Sequence, residues 1–337
     1  MSGEIGFFEA YETALRPLFL ARNALSLISS VHAVGVTRAL REPAGVRELA
    51  ATVGLDETRT ADVCAGLHTL GVVEHAGSDR YRLTPAWLAL TAPGAFVPLD
   101  VALAGNAVES RLLASATAPT YWAMPAADRL VYARAISPDP YSDALVAAFG
   151  RQLAADPERA AILAGGRMLE LGCGVAGRLL TTLRAAPRLS GVGVELSEDL
   201  AAEARRRADD LGLSERVTII CGDAAGYRGD EPFEFGFWSQ FFFPERSRAT
   251  ALRALHANLR SGGVAFAPLG VDHAEIAADP DGTKAQAYAV WRVIVGSWGV
   301  PERTGPMLVD EFVDAGFVDV RVVERGGEGP VVRATRP

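Results

Sequence analysis

The stretch GGRMLELGCGVAGRLLTTLRAAP, residues 165–187, determines the predicted fold. It opens on an apolar run that is typical of a buried strand and ends on residues with the apolar spacing of a helix. Between the two stand Gly172, Gly174 and Gly177, in the spacing of a turn that binds nucleotides. Glycines at this point let the backbone approach a ligand closely, although their spacing alone does not say which nucleotide is bound.

The pattern around this turn predicts an α/β domain. Strand-like segments alternate with helical ones, which favours a doubly wound parallel sheet; the strand candidates are RMLELG, SGVGVELS, RVTIICGD, FEFGFWSQ and GVAFAPLG. The two final candidates, VDVRVVER and GPVVRATR, are separated only by a Gly-rich turn. We therefore expect an antiparallel last strand at this end of the sheet.

The N-terminal part has a different organisation. Residues 7–41 show helical periodicity, and residues 45–90 read as two helices followed by a wing ending in the strand-like run YRLTPAWLAL, which is the order of a winged helix-turn-helix. DNA recognition is disfavoured because the second helix carries Asp56, Glu57 and Asp62 against a single Arg59. A packing or dimerisation module is predicted instead.

Composition supports small-molecule chemistry. Hydrophobic residues make up 49% and charged residues 22% of the 337, which is typical of a globular chain. The net charge of −8 opposes binding to nucleic acid or to an anionic membrane. Three widely spaced cysteines indicate neither a disulfide framework nor a metal site, and a cytoplasmic location is expected.

Three carboxylates stand at predicted strand ends. Glu170 precedes the glycine turn, Glu195 ends the second strand, where it can accept hydrogen bonds from both ribose hydroxyls, and Asp223 ends the third, near an adenine amino group. Together they would repel a pyrophosphate and suit a sulfonium amino acid. The pocket is predicted to include their neighbours and the end of the fourth strand: Leu196, Ala224, Ser239 and Gln240.

The motifs LELGCGVAG and LGLSERVTIICGDA resemble the class I S-adenosylmethionine-dependent methyltransferases. The winged-helix N-terminus and the segment WGVPERTGPMLVDEFVDAGF narrow the resemblance to the small-molecule O-methyltransferases of plant phenolic and bacterial polyketide pathways. The resemblance implies a Rossmann-like seven-stranded methyltransferase domain, S-adenosyl-L-methionine as cofactor and a homodimer formed through the N-terminal domain. We assign residues 1–100 to the winged-helix dimerisation domain, 101–160 to a helical linker that contributes to the substrate pocket, and 161–337 to the cofactor-binding domain.

One departure from this family concerns its catalytic base. Members carry a His-Asp-Trp segment after the fourth strand, whereas this chain has SQFFFPERSR there, so that the histidine position falls on Phe243 or Pro244. The aromatic residues of this segment could shape a pocket for a planar acceptor or could be ordinary core.

Two residues are candidates for the acceptor side of the site. His273, just after the fifth strand, could remove the acceptor's proton, and together with Asp272 and Glu275 it could instead ligate a metal, although a metal is not expected. Arg292, on the helix at 284–299, could anchor an acidic or carbonyl group by a bidentate pair. If the acceptor is already acidic, no dedicated base is required.

The predicted function is therefore methyl transfer to an O, C or N nucleophile of a small molecule, in bacterial specialised metabolism. Two alternatives stay open at this stage. The fold could bind S-adenosylmethionine structurally while the site catalyses a rearrangement without methyl transfer, or the chain could be a winged-helix regulator that senses the cofactor.

Overall fold

The computed structural model describes residues 6–114, 121–156, 159–323 and 329–337. The chain divides into two compact units, Met1–Leu103 and Ala104–Pro337. Among the helices of the described residues, none has the length and hydropathy needed to cross a lipid bilayer.

The first unit is mainly helical with a small antiparallel sheet. Its helices are α1 (Phe7–Ala10), which continues through a π-helical turn (Tyr11–Leu15) into α2 (Arg16–Ala33), then α3 (Val36–Ala39), α4 (Val46–Val53), α5 (Glu57–Thr69) and α6 (Pro85–Leu90). Its strands are β1 (Ala44–Gly45), β2 (Val73–His75) and β3 (Arg80–Leu83), in the order β1-β3-β2. Buried aliphatic side chains of α2 to α5 and the hairpin form its core, among them Leu40, Leu49 and Leu67.

The predicted strand at residues 81–90 is wrong in its second half. The strand ends at Leu83, and residues from Pro85 onward form α6. Pro85 lacks the N–H that a strand interior would use and has the backbone angle that suits the first turn of a helix. The helix–helix–hairpin order of the unit agrees with the winged-helix interpretation, which stays a prediction.

The second unit begins with helices and continues as alternating strands and helices. The helices at its start are α7 (Leu99–Leu113, beginning in the first unit), a 3₁₀ turn (Tyr121–Ala123), α8 (Ala126–Ala135), α9 (Asp143–Ala155) and α10 (Ala160–Leu163). The sheet strands are β4 (Gly166–Leu171), β5 (Leu189–Glu195), β6 (Val217–Cys221), β7 (Phe233–Trp238), β8 (Leu259–Pro268), β9 (Val318–Val323) and β10 (Val331–Thr335). The remaining helices are α11 (Gly177–Ala185), α12 (Glu198–Asp210), α13 (Glu245–Asn258), α14 (His273–Ala278), α15 (Thr283–Ser297) and α16 (Gly305–Asp314), with 3₁₀ turns at Ala224–Gly226 and Gln240–Phe242.

The sheet confirms the predicted α/β fold class. Its seven strands run in the order β6-β5-β4-β7-β8-β10-β9. Strands β4 to β8 are parallel, whereas β10 pairs antiparallel with both β8 and β9. The predicted Gly-rich turn before β10 falls on 324–328, outside the described residues. Two buried apolar clusters stabilise the domain, one including Leu179 and Leu183 of α11, the other Leu252 and Leu255 of α13.

A buried ionic cluster joins α8 to α12. The Glu203 carboxylate, whose side chain is 6% exposed, lies 2.7 Å from Arg134, 2.8 Å from Arg206 and 2.9 Å from Arg207. Burial by itself raises the pKa of Glu203, but hydrogen bonds from the three guanidinium groups lower it to about 2. The cluster therefore holds the helical segment before the sheet against the sheet's own helix layer.

We expect Glu203→Gln to lower the free energy of unfolding at pH 7 by about 3 kcal/mol, because it leaves the buried Arg207 guanidinium without its counter-charge. The native pKa of about 2 lies below the ordinary 4.5, so this stabilisation is complete above pH 4.5 and is lost as the pH falls toward 2. Denaturant titrations at pH 7 and pH 3 should show a smaller difference between variant and wild type at pH 3. The exposed Glu215→Gln serves as control, and an equal effect of the two substitutions would contradict the assignment.

Candidate active site

The predicted site residues meet at one edge of the sheet. Strand β4 pairs with β5 on one side and with β7 on the other. The strand order therefore reverses at β4, which creates a switch point at the carboxyl ends of these strands. Glu195 ends β5, and Asp223 and Ser239 follow β6 and β7. Open α/β sheets bind their ligands in this crevice.

The turn after β4 is open at Gly174. Gly172 and Gly174 have φ angles of 73° and 56°, the left-handed region that favours glycine. A Cβ at Gly172 would lie 2.8 Å from the Phe243 ring, whereas a Cβ at Gly174 would meet none of the described atoms within 4 Å. Of the two positions, Gly174 is the one where the backbone is accessible to a ligand.

The space beside Gly177 is occupied by the protein itself, and its predicted place in the cofactor site stays a prediction. Gly177 is buried, and a side chain there would overlap the Ser137 hydroxyl and the Pro138 carbonyl oxygen. The space is filled by the protein, so Gly177 permits packing of α11 against residues 137–138. The third left-handed residue of the turn is Ala176, with φ 55°, which the spacing of glycines could not reveal.

Glu195 ties this turn to the next loop. Its buried carboxylate accepts hydrogen bonds from the backbone N–H of Gly174 at 2.8 Å and from that of Ser197 at 2.9 Å. Burial raises the pKa of Glu195, and the two backbone hydrogen bonds oppose the rise. Leu196, beside it, is 52% exposed, so an apolar surface borders the carboxylate.

Glu170 is a buried carboxyl group with unused hydrogen-bonding capacity. It is 2% exposed, and its Oε2 has no hydrogen-bond partner among the described residues. Burial raises the pKa of Glu170 to about 8, although Arg178 and the backbone N–H of Leu179 favour the ionised form. The group therefore carries a proton at neutral pH unless a further cation or donor stabilises its charge.

The remaining predicted cofactor residues border the crevice. Asp223 is exposed and accepts a hydrogen bond from the backbone N–H of Ala225 at 2.9 Å, while Ala224 is buried. Gln240 is 2% exposed; its Nε2 donates to the Pro268 carbonyl at 3.1 Å, and its Oε1 has no partner among the described residues. Half-buried Ser239 donates its backbone N–H to the Leu171 carbonyl oxygen at 3.0 Å and hydrogen-bonds Glu170 through its side chain.

The aromatic segment after β7 divides between core and site. Trp238 and Phe243 are buried against each other, with ring centroids 5.5 Å apart. Phe241 and Phe242 are half-buried; Phe241 packs on Trp291 at 5.1 Å and Phe242 on Tyr121 at 5.7 Å. Both alternatives for this segment therefore apply, to different residues.

The ion pair between Arg248 and Glu311 holds this segment in place. The Arg248 guanidinium lies over the Trp238 ring at 4.8 Å and makes a two-fold contact with Glu311 at 2.7 and 2.8 Å. It also donates to the Gln240 carbonyl at 2.9 Å. Phe241 and Phe242 are thereby held at the edge of the crevice.

Helices cover the glycine turn. A cluster of buried side chains joins α7, α8 and α15 to Val175 of the turn and Leu200 of α12, and it includes Tyr121, Tyr132 and Trp298. Burial and the nearby charge of Glu195 raise the pKa of Tyr121, so this phenol lies close to the carboxylate at the end of β5. Arg129, 2.9 Å from Asp199, ties the same cover to α12.

His273 has an orienting partner that its sequence neighbours did not reveal. Its Nε2 lies 3.2 Å from the Tyr288 hydroxyl and 3.7 Å from Glu302. The Tyr288 hydroxyl donates to Glu302 at 2.9 Å. Sequence reasoning missed both residues because they lie 15 and 29 positions away; the polar residues within PERTG were the available signal.

The other candidate on the acceptor side, Arg292, is half-buried and donates to the Val300 carbonyl oxygen at 3.0 Å. Arg292 directly follows Trp291 on α15, and the Trp291 ring packs on Phe241 and on Tyr288. In the part of the chain that the structure describes, no three His, Cys, Asp or Glu side chains are placed to share a metal ion.

Comparison with known proteins agrees with this geometry. Residues 168–263, from β4 into β8, match the family described as "Methyltransferase domain". The uncharacterized protein YjhP of Escherichia coli (strain K12) is 33% identical over 126 residues. That match spans 37% of this chain and 48% of the relative, so about half of the curated relative is covered.

Solved structures extend the similarity to nearly the whole chain. An O-methyltransferase family protein from Burkholderia thailandensis has a TM-score of 0.68 at 16% identity, covering 96% of this chain and 97% of that one. The mitomycin 7-O-methyltransferase MmcR has a TM-score of 0.67 at 17% identity, covering 97% of this chain and 98% of that one. Human N-acetylserotonin methyltransferase has a TM-score of 0.68 at 15% identity, covering 100% of this chain and 99% of that one. Residues 168–263 are therefore similar to a methyltransferase domain, and the chain shares the fold of these O-methyltransferases.

Proposed function

We propose that the protein is an S-adenosylmethionine-dependent methyltransferase that acts on a small-molecule acceptor. The observation that carries this proposal is the arrangement of Glu170, Glu195 and Asp223 around the open backbone of Gly174. Human N-acetylserotonin methyltransferase, which has the same fold, was solved with S-adenosylmethionine, and MmcR is named as a mitomycin 7-O-methyltransferase. These names support methyl transfer to a small molecule, which we place in specialised metabolism.

The residues present fit this cofactor. Glu195 and the exposed Asp223 offer carboxylate oxygens for the ribose hydroxyls and the adenine amino group. The unpartnered Oε2 of Glu170 needs a cation or a donor, and the amino-acid part of the cofactor provides an ammonium group. A pyrophosphate would instead place negative charge among three carboxylates.

The bound cofactor supplies an electrophilic methyl group on its sulfonium. The chain's contribution is to align the acceptor with that methyl group and to exclude water, effects worth up to roughly 7 to 11 kcal/mol in well-oriented reactions. Phe241, Phe242 and the helical cover with Tyr121 and Trp298 supply the apolar walls. These walls favour a planar acceptor, because aromatic rings can stack on it or contact it edge to face.

His273 is the residue we assign to proton removal. The Tyr288 hydroxyl donates to Glu302, so its oxygen accepts the proton on His273 Nε2, which leaves the lone pair of Nδ1 to receive the acceptor's proton. Glu302 then lies close enough to stabilise the imidazolium that forms. Arg292 remains the candidate anchor for an acidic or carbonyl group on the acceptor.

We also propose a homodimer that forms through the first unit. Large apolar side chains of α1, the π-helical turn and α2 are exposed in the single chain: Phe8 at 80%, Leu18 at 66%, Leu20 at 59% and Phe19 at 46%. Several large exposed apolar side chains on one helical segment are typical of an interaction site. A second copy of the chain is the partner that the resemblance implies.

Binding of S-adenosylmethionine should release a proton from Glu170. The free carboxyl has a pKa of about 8, and a bound cation favours its ionised form, so affinity should rise with pH between 6 and 7, where the cofactor's amino group stays charged. Calorimetry in buffers of different ionisation enthalpy measures the release. Glu170→Gln should abolish it, and equal proton release by variant and wild type would remove Glu170 from the cofactor site.

The assigned base predicts a large kinetic effect. With a panel of hydroxylated aromatic acceptors and S-adenosylhomocysteine formation as the readout, His273→Ala should lower kcat by roughly 10²- to 10⁴-fold and leave cofactor affinity unchanged. Glu302→Gln should lower it less, because the imidazole remains. If instead His273→Ala has no effect and Arg292→Ala raises KM, the acceptor ionises without a base.

Products of unchanged mass would favour the rearrangement alternative, and a gel shift with genomic fragments would favour the regulator.

Light scattering should report a dimer at micromolar concentration. An intertwined interface of this type buries more than about 2,000 Å². Leu18→Glu, which places a charge on the exposed face of α2, should shift the protein to monomers, whereas Glu215→Gln on the second unit should not. A monomeric wild type would remove the proposal.

A further inference from the structure

Helix α7 carries a carboxylate on the face that packs against α8. The two helices are antiparallel: a side chain at Gly105 would overlap the Cβ of Ala135, and Arg111 pairs with Asp128 at 2.5 Å. Residues of α7 that lie between these two contacts and on the same helix face are therefore opposite the middle of α8. Glu109 is one of them.

Its neighbours on that face are apolar and buried. Val108 is 2% exposed and Leu112 5%, and Glu109 lies four residues after Gly105 and three before Leu112, on the same helix face. A charge at such a position normally has a counter-charge or donor. Among the residues that the structure describes, Glu109 has no hydrogen bond or ion pair, and burial alone raises its pKa.

Aromatic side chains next to Glu109 continue to the edge of the proposed acceptor site. The antiparallel register places Tyr132 of α8 opposite Glu109, and the pKa of Tyr132 is raised first by burial and then by the Glu109 charge. The Tyr132 phenol hydrogen-bonds Trp291, whose ring lies 5.1 Å from that of Phe241 at the edge of the crevice. Glu109 thus borders the aromatic cluster that continues through Trp291 to Phe241, and its side chain is half-buried rather than enclosed.

We propose that Glu109 binds a cationic group of the acceptor, a protonated amine. A carboxylate beside aromatic rings favours an ammonium group, because the charge pair and the ring faces both attract a cation, whereas an acidic acceptor is repelled. The amine remains protonated and takes no part in the transfer. This inference rests on the proposed function, since it assigns a substrate class to the same site.

The test compares two probes of similar size by calorimetry, with S-adenosylhomocysteine present. Tyramine carries the amine, and 4-propylphenol replaces it by a methyl group. Wild type should bind tyramine at least about tenfold more tightly than 4-propylphenol, the effect expected of one charge-assisted contact. Glu109→Gln should lose this preference, and the exposed Glu215→Gln should keep it. Equal affinities for the two probes in wild type would overturn the proposal.

Two further measurements separate the possible causes of failure. Glu109→Gln should bind S-adenosylhomocysteine as wild type does; if wild type itself binds none, the proposed function fails rather than this inference. The unpaired charge also costs stability, so Glu109→Gln should raise the melting temperature of the ligand-free protein by about 2 to 4 °C. A lower melting temperature would indicate that Glu109 has a structural partner, and would also overturn the proposal.

Discussion

The site depends on one buried carboxylate. Glu195 ends β5, yet it accepts the backbone N–H groups of Gly174, after β4, and of Ser197, before α12. A single side chain therefore fixes two neighbouring loops at the switch point of the sheet. Its desolvation is offset by these hydrogen bonds, which also leave the outward backbone of Gly174 uncovered. The proposed cofactor pocket would in this way be built largely from the backbone.

The fold was predictable because its signals are local. Periodicity located each parallel strand from β4 to β8, and the lack of a helix before β10 predicted its antiparallel pairing. The strand end at Leu83 was missed because Pro85 was included in the strand-like run YRLTPAWLAL rather than read as the start of α6. The packing contact of Gly177 could not be predicted, because its partner, Ser137, lies forty residues earlier in the chain.

The acceptor side was predicted less completely, since its residues come together only through tertiary packing. His273 was identified from its place after β8, but its partners Tyr288 and Glu302 lie on α15 and in the loop after it. Glu109 gave no signal at all, because a glutamate in a helix is ordinary until the opposite helix shows that it has no counter-charge. Such residues are found by accounting for buried charges rather than by motifs.

The contact at Gly177 has a consequence for folding. The N-terminus of α11 packs directly against residues 137–138. The glycine turn therefore acquires its final shape together with the helices that precede the sheet. Loss of the α8–α9 segment would then open the turn itself. The amide protons of both regions should exchange with solvent as one cooperative unit, although β4, which lies between them in sequence, belongs to the sheet.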